Sequence, residues 1–266
     1  MRRARIAGAI VLLIIVILAG SLLAYSQEWP PVSVVASESM THSSSWKAGT
    51  LNVGDIVFVK KVDQVPGSVI TYVVGRDTGF MSYGEYGNVI LYHSTNGIII
   101  IHRAMFYLSW NGSTPYVQGF HNQSWLRVTD QYVWIEDASY NGRNLTVSIS
   151  AFKGMDGFIT VGDYNLATSA IYIAAQHAYV AADQNVNITA FPVSSSEIVG
   201  IAFGDVPWFG LIKLNFLRLY NQWPEYNQVA KYSYDYLGLS ILALLVVIFF
   251  PYSETAKYIR QRKRSN

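Results

Sequence analysis

Hydrophobic and polar positions divide the chain into two uncharged end segments and a strand-like middle. Residues 6–24 (IAGAIVLLIIVILAGSLLA) carry no charge over nineteen positions, and residues 236–252 (YLGLSILALLVVIFFPY) form a second apolar run. At 1.5 Å per residue, about twenty helical residues cross a hydrocarbon core of about 30 Å. The first run could also be a cleaved signal peptide, but it is longer than the apolar region of such a peptide, which usually has about 7–15 residues. The pattern therefore predicts uncleaved transmembrane helices at 6–25 and 236–252.

The middle of the chain has the composition of β-strands. Short runs rich in β-branched and aromatic residues alternate with glycine, asparagine and Asp-Gly turns. These runs are 32–37, 54–62, 69–75, 88–94, 97–108, 131–137, 145–150, 158–162 and 197–203. Two segments, 165–182 and 209–223, instead show apolar residues at helical spacing. We therefore expect a mostly β body with few helices.

Basic residues lie at the outer end of each apolar run. The chain begins Met-Arg-Arg-Ala-Arg, and residues 253–266 carry five lysines and arginines. Since basic residues favour the cytoplasmic side of a membrane, both termini are predicted to be cytoplasmic. The predicted organisation is a cytoplasmic N-terminus at 1–5, a transmembrane helix at 6–25, an extracytoplasmic β-rich domain at 26–235, a transmembrane helix at 236–252 and a basic cytoplasmic tail at 253–266.

Composition excludes several classes of function. The net charge is only +2 and the charged fraction 14%, so nothing indicates a nucleic-acid partner. With no cysteine there is no disulfide framework or thiolate metal site, and no two histidines have the i, i+4 spacing of a helical metal pair. We therefore predict no metal and no cofactor. Four N-x-[ST] sequons favour N-glycans on the exterior; they begin at Asn111, Asn122, Asn144 and Asn187.

Nucleophilic catalysis is the chemistry that remains, because the chain has no glycine-rich phosphate loop. A serine nucleophile needs a neighbouring base, and that base needs a group that holds it in the right tautomer. The candidate bases of the middle segment are His42, His93, His102, His121, His177, Lys47, Lys60, Lys61, Lys153, Lys213 and Lys231.

Five blocks occur in an order that resembles a known family. They read VVASESM, GDIVFVKKV, IIHRAM, FITVGDYN and EIVGIAFGDVPWFGLIKL, and they cover most of residues 32–215. This order resembles the type I signal peptidases of the archaeal and endoplasmic-reticulum kind, serine peptidases of family S26. The family's S-G-S-M motif is similar to Ser37-Glu38-Ser39-Met40, with glutamate in place of glycine.

The resemblance implies a Ser-His-Asp mechanism. It makes Ser39 the nucleophile and His102 the general base, at the position where bacterial relatives have a lysine, and the backbone N–H of Ser39 the oxyanion donor. Asp163 matches the aspartate of the family's G-D-x-N turn. The second acid of the family matches Asp183 when 166–181 is taken as an insertion. We favour Asp183 as the acid that orients His102 and keep Asp163 as the alternative.

The implied fold is a coiled β-sheet or barrel between the two membrane helices. The implied activity is removal of N-terminal signal peptides from preproteins that emerge from the secretion translocon, by cleavage after small residues at the surface of the lipid bilayer. Two alternatives stay open: a peptidase homologue that has lost activity, and a non-catalytic β-rich surface protein. The two-pass topology would place either one in the cell membrane.

Overall fold

The computed structural model describes residues 2–249. It is a mixed α/β protein in which sheets predominate. The elements in chain order are α1 (Arg2–Ser26), β1 (Val32–Val34), β2 (Ile56–Lys60), α2 (Tyr72–Thr78), β3 (Met81–Ser82), β4 (Glu85–Tyr86), β5 (Val89–His93), β6 (Ile99–Asn111), β7 (Thr114–Val117), β8 (Leu126–Val128), β9 (Tyr132–Ile135), β10 (Leu145–Ser148), β11 (Gly157–Val161), α3 (Asp163–Thr168), β12 (Tyr172–Ile173), β13 (Ala178–Tyr179), β14 (Ile198–Val206), α4 (Gly210–Leu219) and α5 (Ser233–Phe249). Two 3₁₀ turns, Glu38–Met40 and Pro224–Gln228, bear on the site.

The main sheet has seven strands and brings distant blocks of sequence together. Its order is β1-β2-β14-β5-β6-β11, with β7 also paired to β6, and all of these pairs are antiparallel. The long strand β6 places His102 opposite Ile90 of β5, and Arg103 between Val89 of β5 and Val161 of β11. Since β1 ends the sheet, one of its edges is unpaired within the described chain.

A second sheet, of order β12-β13-β10-β9-β8, packs against the main sheet. The buried cluster between them includes Phe106 and Ile159 of the main sheet and Ile135 and Val147 of the second. β6 contributes Phe106 and Leu108 to this core, while Ala104 and Tyr107 belong to a separate cluster around Tyr92 and Phe158. The strand that carries His102 is therefore held on both faces.

The predicted transmembrane helices are not supported. Within residues 2–249, no helix combines the length and the apolar character that crossing a membrane requires. The membrane-flanked fold class and the two-pass localisation are therefore wrong, while the predicted tail at 253–266 lies outside the described residues.

Two local predictions also differ from the structure. Segment 165–182, predicted as a helix, is helical only to Thr168 and then forms β12 and β13. Segment 69–75, predicted as a strand, belongs mostly to α2. Thr71 caps α2 by accepting a hydrogen bond from the Val74 N–H, and Gly79 ends it with a positive φ of 77°. These end signals outweigh the β preference of the residues between them.

Candidate active site

His102 and Asp183 form a buried, hydrogen-bonded pair. Nδ1 of His102 lies 2.7 Å from Oδ2 of Asp183, and both side chains are buried. An ionised carboxylate only accepts hydrogen bonds, so Nδ1 carries the proton and Nε2 keeps its lone pair. In this tautomer, Nε2 of His102 is able to act as a base.

Two hydroxyl groups hold the Asp183 carboxylate in place. Tyr92 and Thr160 donate to the same Oδ2 atom, over 2.8 and 2.6 Å. The backbone N–H of Asp183 also donates to the carbonyl of Thr160, over 2.9 Å. Burial, together with the negative charge of Asp183, raises the pKa of Tyr92, so its hydroxyl stays protonated and continues to donate. Because these groups fix the orientation of the carboxylate, they also fix the orientation of the His102 ring that is hydrogen-bonded to it.

Ser39 lies in the 3₁₀ turn Glu38–Met40, directly after the segment that continues β1. Met40 is buried with Val57 and Leu91, and burial of a methionine side chain contributes on the order of 2 kcal/mol to holding such a turn. Glu38, which stands where the family has glycine, does not have a positive φ. The turn therefore accepts a side chain at this position without backbone strain.

The backbone N–H of Ser39 is oriented by its neighbours. The Glu38 carbonyl, in the same peptide unit, accepts hydrogen bonds from the N–H and the hydroxyl of Thr41, each over 2.9 Å. Because a trans peptide is planar, the Ser39 N–H points away from that carbonyl. It donates to no acceptor among residues 2–249. An N–H held in this way is suited to stabilise a developing oxyanion.

Ser39 and His102 line the same two cavities. The first, of about 120 Å³, lies between residues 33–37 and the start of β6 at 99–102 and has mostly apolar walls. The second, of about 380 Å³, is polar and includes Glu38, Asn165 and Gln228 in its walls. The two residues therefore stand where an apolar groove meets a polar cleft.

Gly162 permits the close approach of the two segments. A Cβ atom at this position would lie 2.7 Å from the carbonyl oxygen of Ser39 and 2.9 Å from Nε2 of His102. Both distances are too short for a side chain, so glycine is required here by space and not by its φ of −75°. Gly162 precedes Asp163 in the block that contributed to the family resemblance.

No hydrogen bond joins Ser39 Oγ to His102 Nε2 in the described part of the chain. Ser39 Oγ instead accepts a hydrogen bond from the hydroxyl of Ser37, over 3.3 Å. Hydrogen bonds between a nucleophile and its base are often long without substrate and shorten when substrate binds. Ser39 and His102 therefore line one groove without a hydrogen bond between their side chains in the described structure.

Asp163 belongs to a different cluster and makes no hydrogen bond to His102. Its two oxygens accept from Nε and Nη2 of Arg103, over 2.8 and 2.7 Å, and Oδ2 also lies 2.9 Å from Nε2 of His42. The His42 ring stacks on Tyr140, with ring centroids 4.3 Å apart. Nη1 of Arg103 donates to backbone carbonyls around the β3–β4 hairpin. This cluster ties α3, β6 and the hairpin together.

The charge of Asp163 is strongly stabilised. Burial would raise the pKa of this carboxyl, but the charge and hydrogen bonds of Arg103, with a smaller contribution from His42, outweigh burial and lower the pKa to about 2. Asp163 therefore remains ionised at any pH above about 3, and its charge is already balanced by the guanidinium.

The structure thus brings Ser39, His102 and Asp183 to one place and puts Asp163 behind Arg103. Sequence reasoning missed Tyr92, Thr160 and Gln228. Thr160 stands in the FITVGD block, where its side chain could have been considered. Tyr92 is 91 residues from Asp183 and Gln228 is 190 residues from Glu38, so no local pattern signals either contact.

Comparisons with known proteins add no relative. No family model, curated protein or solved structure matches this chain. The resemblance to signal peptidases therefore rests on the five sequence blocks alone.

Two further surface features lie away from Ser39 and His102: a pocket and the sequon asparagines. A pocket of about 560 Å³ on the second sheet is lined by polar residues such as Gln131, Thr146 and Asn185, and contains none of the predicted catalytic residues. Of the sequons, Asn144 is half-buried, and its amide nitrogen, to which a glycan would be attached, donates to the carbonyl of His177. The other three sequon asparagines are exposed: Asn111, Asn122 and Asn187.

Proposed function

We propose that the chain is a serine endopeptidase of the signal-peptidase kind, which removes N-terminal signal peptides from preproteins by cutting after small residues. The observation that carries the proposal is the His102–Asp183 hydrogen bond of 2.7 Å beside the groove that Ser39 lines. A buried carboxylate against Nδ1 is the arrangement that prepares a histidine to take a proton from serine.

The groove supports the proposed substrate. β1 has an unpaired edge in the described chain, so an extended peptide can add to it as a further strand. The groove is small, with a volume of about 120 Å³, and its walls include Val34, Ala36 and Ile101, which suits small apolar side chains. Small residues before the cut are the feature by which signal peptides are cleaved.

The reaction follows serine-protease logic. Nε2 of His102 takes the proton of Ser39, and Oγ of Ser39 bonds to the carbonyl carbon of the scissile peptide. The Ser39 N–H stabilises the resulting oxyanion, while Asp183 stabilises the imidazolium. His102 then protonates the leaving amine of the mature protein. Water, deprotonated by His102, then attacks the acyl-enzyme. The bond between the acyl carbon and Oγ breaks, His102 returns the proton to Ser39, and the signal peptide leaves with a free carboxylate.

The direct test is cleavage of a preprotein with an Ala-x-Ala signal by the purified full chain. Ser39→Ala removes the nucleophile and is expected to abolish cleavage. Ser44→Ala is the matched control, because Ser44 is exposed and lies five positions further along the same segment. Cleavage by the control should equal that by the wild type.

Two outcomes would contradict the proposal. Equal cleavage by wild type and Ser39→Ala would remove Ser39 from the reaction. A folded wild-type chain that cleaves no preprotein would favour the alternative of a non-catalytic β-rich protein.

A further inference from the structure

The segment at 223–231, here called the strap, lies between α4 and α5 and runs along the segment that carries Ser39. At its start, Nε1 of the buried Trp223 donates to the carbonyl of Ala36, over 2.8 Å. At its end, the Lys231 N–H donates to the carbonyl of Ser44, over 2.9 Å. The strap thus contacts the chain on both sides of the nucleophile.

Between these contacts, Gln228 bonds the turn itself. Its Oε1 accepts the backbone N–H of Glu38, over 3.0 Å, although the two residues are 190 positions apart. Gln228 is half-buried and lines the polar cleft of about 380 Å³ together with Ser39 and His102. It is therefore a residue of the cleft wall and not of the hydrophobic core.

The bond from Gln228 adds a second restraint to the peptide units that precede Ser39. The Glu38 N–H is held by Gln228, and the Glu38 carbonyl is held by Thr41. With both polar groups of Glu38 fixed, rotation about its φ and ψ is restricted, and the peptide plane that ends in the Ser39 N–H keeps one orientation. Loss of the Gln228 contact would leave the Glu38 N–H without this acceptor, while the Glu38 carbonyl stays held by Thr41.

We propose that Gln228 is a positioning residue that, through the Glu38 N–H, aims the Ser39 N–H and hydroxyl at the scissile carbonyl. This inference rests on the proposed function. It assigns the strap, which lies outside the family's sequence blocks, a part in the reaction. Gln228 acts on the transition state through Ser39, so its contribution appears in kcat and not in substrate binding.

The test compares three variants of the full chain with the wild type. Gln228→Met keeps the length of the side chain but removes the acceptor, while Gln228→Glu keeps an acceptor oxygen. Gln222→Met is the matched control, since Gln222 is exposed and its side chain hydrogen-bonds to no described residue. For each protein, kcat and KM of preprotein cleavage and the hydrogen exchange of the Glu38 amide are measured.

We expect Gln228→Met to lower kcat by roughly three- to tenfold with little change in KM, as loss of one hydrogen bond predicts. The Glu38 amide should exchange faster, and Gln228→Glu should restore both quantities toward the wild type. Gln222→Met should behave as the wild type.

Failures of the two proposals give different results. If the Glu38 amide exchanges no faster in Gln228→Met than in the wild type, the proposal that Gln228 holds this amide is overturned, whatever the activity. Faster exchange with unchanged kcat in an active enzyme would overturn the positioning role and leave the proposed function standing. An inactive wild type would overturn the proposed function, and the catalytic role of Gln228 with it.

Discussion

Two histidine–aspartate pairs lie close to each other in this molecule, and they differ in what else surrounds the carboxylate. Asp163, beside His42, is also bound by Nε and Nη2 of the Arg103 guanidinium. Asp183, beside His102, is otherwise bound only by neutral hydroxyl groups. Both carboxylates are buried.

Under the proposed function, the difference separates a structural anchor from a reactive pair. Arg103 already balances the charge of Asp163, so the His42 contact is one of several that hold this carboxylate. No lysine or arginine faces Asp183 in the described chain, so in the proposed reaction its charge would be available to stabilise the imidazolium of His102. A buried His–Asp contact alone therefore does not identify a catalytic pair; the other partners of the carboxylate do.

The largest expected effect is on activity, from Asp183→Asn. The amide would favour the wrong tautomer of His102 and would not stabilise its protonated form, so kcat should fall by about a thousandfold or more. Preprotein cleavage measures the change, and circular dichroism checks the fold. A comparable loss of kcat in folded Asp163→Asn would erase the distinction between the two carboxylates.

The next effect is on stability, from Asp163→Asn. This change leaves the buried Arg103 without a counter-charge, which typically costs about 3–5 kcal/mol of the free energy of unfolding. Urea unfolding of the two Asp→Asn variants provides the comparison, with Asp163→Asn clearly the less stable. Equal stability would show that Asp163 does not anchor the fold.

The pH dependence of stability should follow Asp163. Its pKa is about 2 in the folded chain, below the value of about 3.9 of an unfolded aspartate. A lowered pKa contributes stability that is complete above about pH 4 and is lost as the pH falls toward about 2. The difference in unfolding free energy between wild type and Asp163→Asn should therefore shrink by about 2 kcal/mol over this interval. Parallel pH curves would contradict the assignment.

The smallest effect is expected from His42→Phe, which keeps a ring over Tyr140 but removes the contact with Asp163. Because Arg103 still holds the carboxylate, we expect a loss of about 1.5 kcal/mol in unfolding free energy and a kcat near that of the wild type. His121→Phe is the control, since the His121 side chain is 67% exposed. A large loss of activity in His42→Phe would mean that His42 has a part in the reaction.

Much of the main sheet could be predicted from local sequence, because its strands are continuous runs of β-branched and aromatic residues. The runs at 54–62, 97–108 and 197–203 correspond to β2, β6 and β14. Helix α2 could not be predicted by the same rule, since its residues favour strands and its cap at Thr71 depends on the local turn. The more serious error is the prediction of two transmembrane helices from the apolar end segments. Their composition is typical of membrane spans, but no described helix is long and apolar enough to cross a membrane.

The residues of the candidate site also divide into those that local sequence indicates and those that it does not. Ser39 and His102 stand in short motifs and could be named from sequence. The choice between Asp163 and Asp183 depended on where an insertion was placed, and only the fold settles which carboxylate lies against Nδ1. Tyr92 and Gln228 were out of reach, because each meets its partner across a long stretch of chain.

The measurement that tests the central claim most directly is the mass of the protein during turnover of an activated ester of a signal peptide. Such an ester acylates quickly, so an acyl-enzyme should accumulate before hydrolysis. We expect an acid-quenched wild-type chain to carry the signal-peptide acyl group on Ser39, and the Ser39→Ala chain to carry none. Turnover without an adduct, or an adduct on another residue, would contradict the assignment of Ser39 as the nucleophile. The roles proposed for His102 and Asp183 would then fall with it.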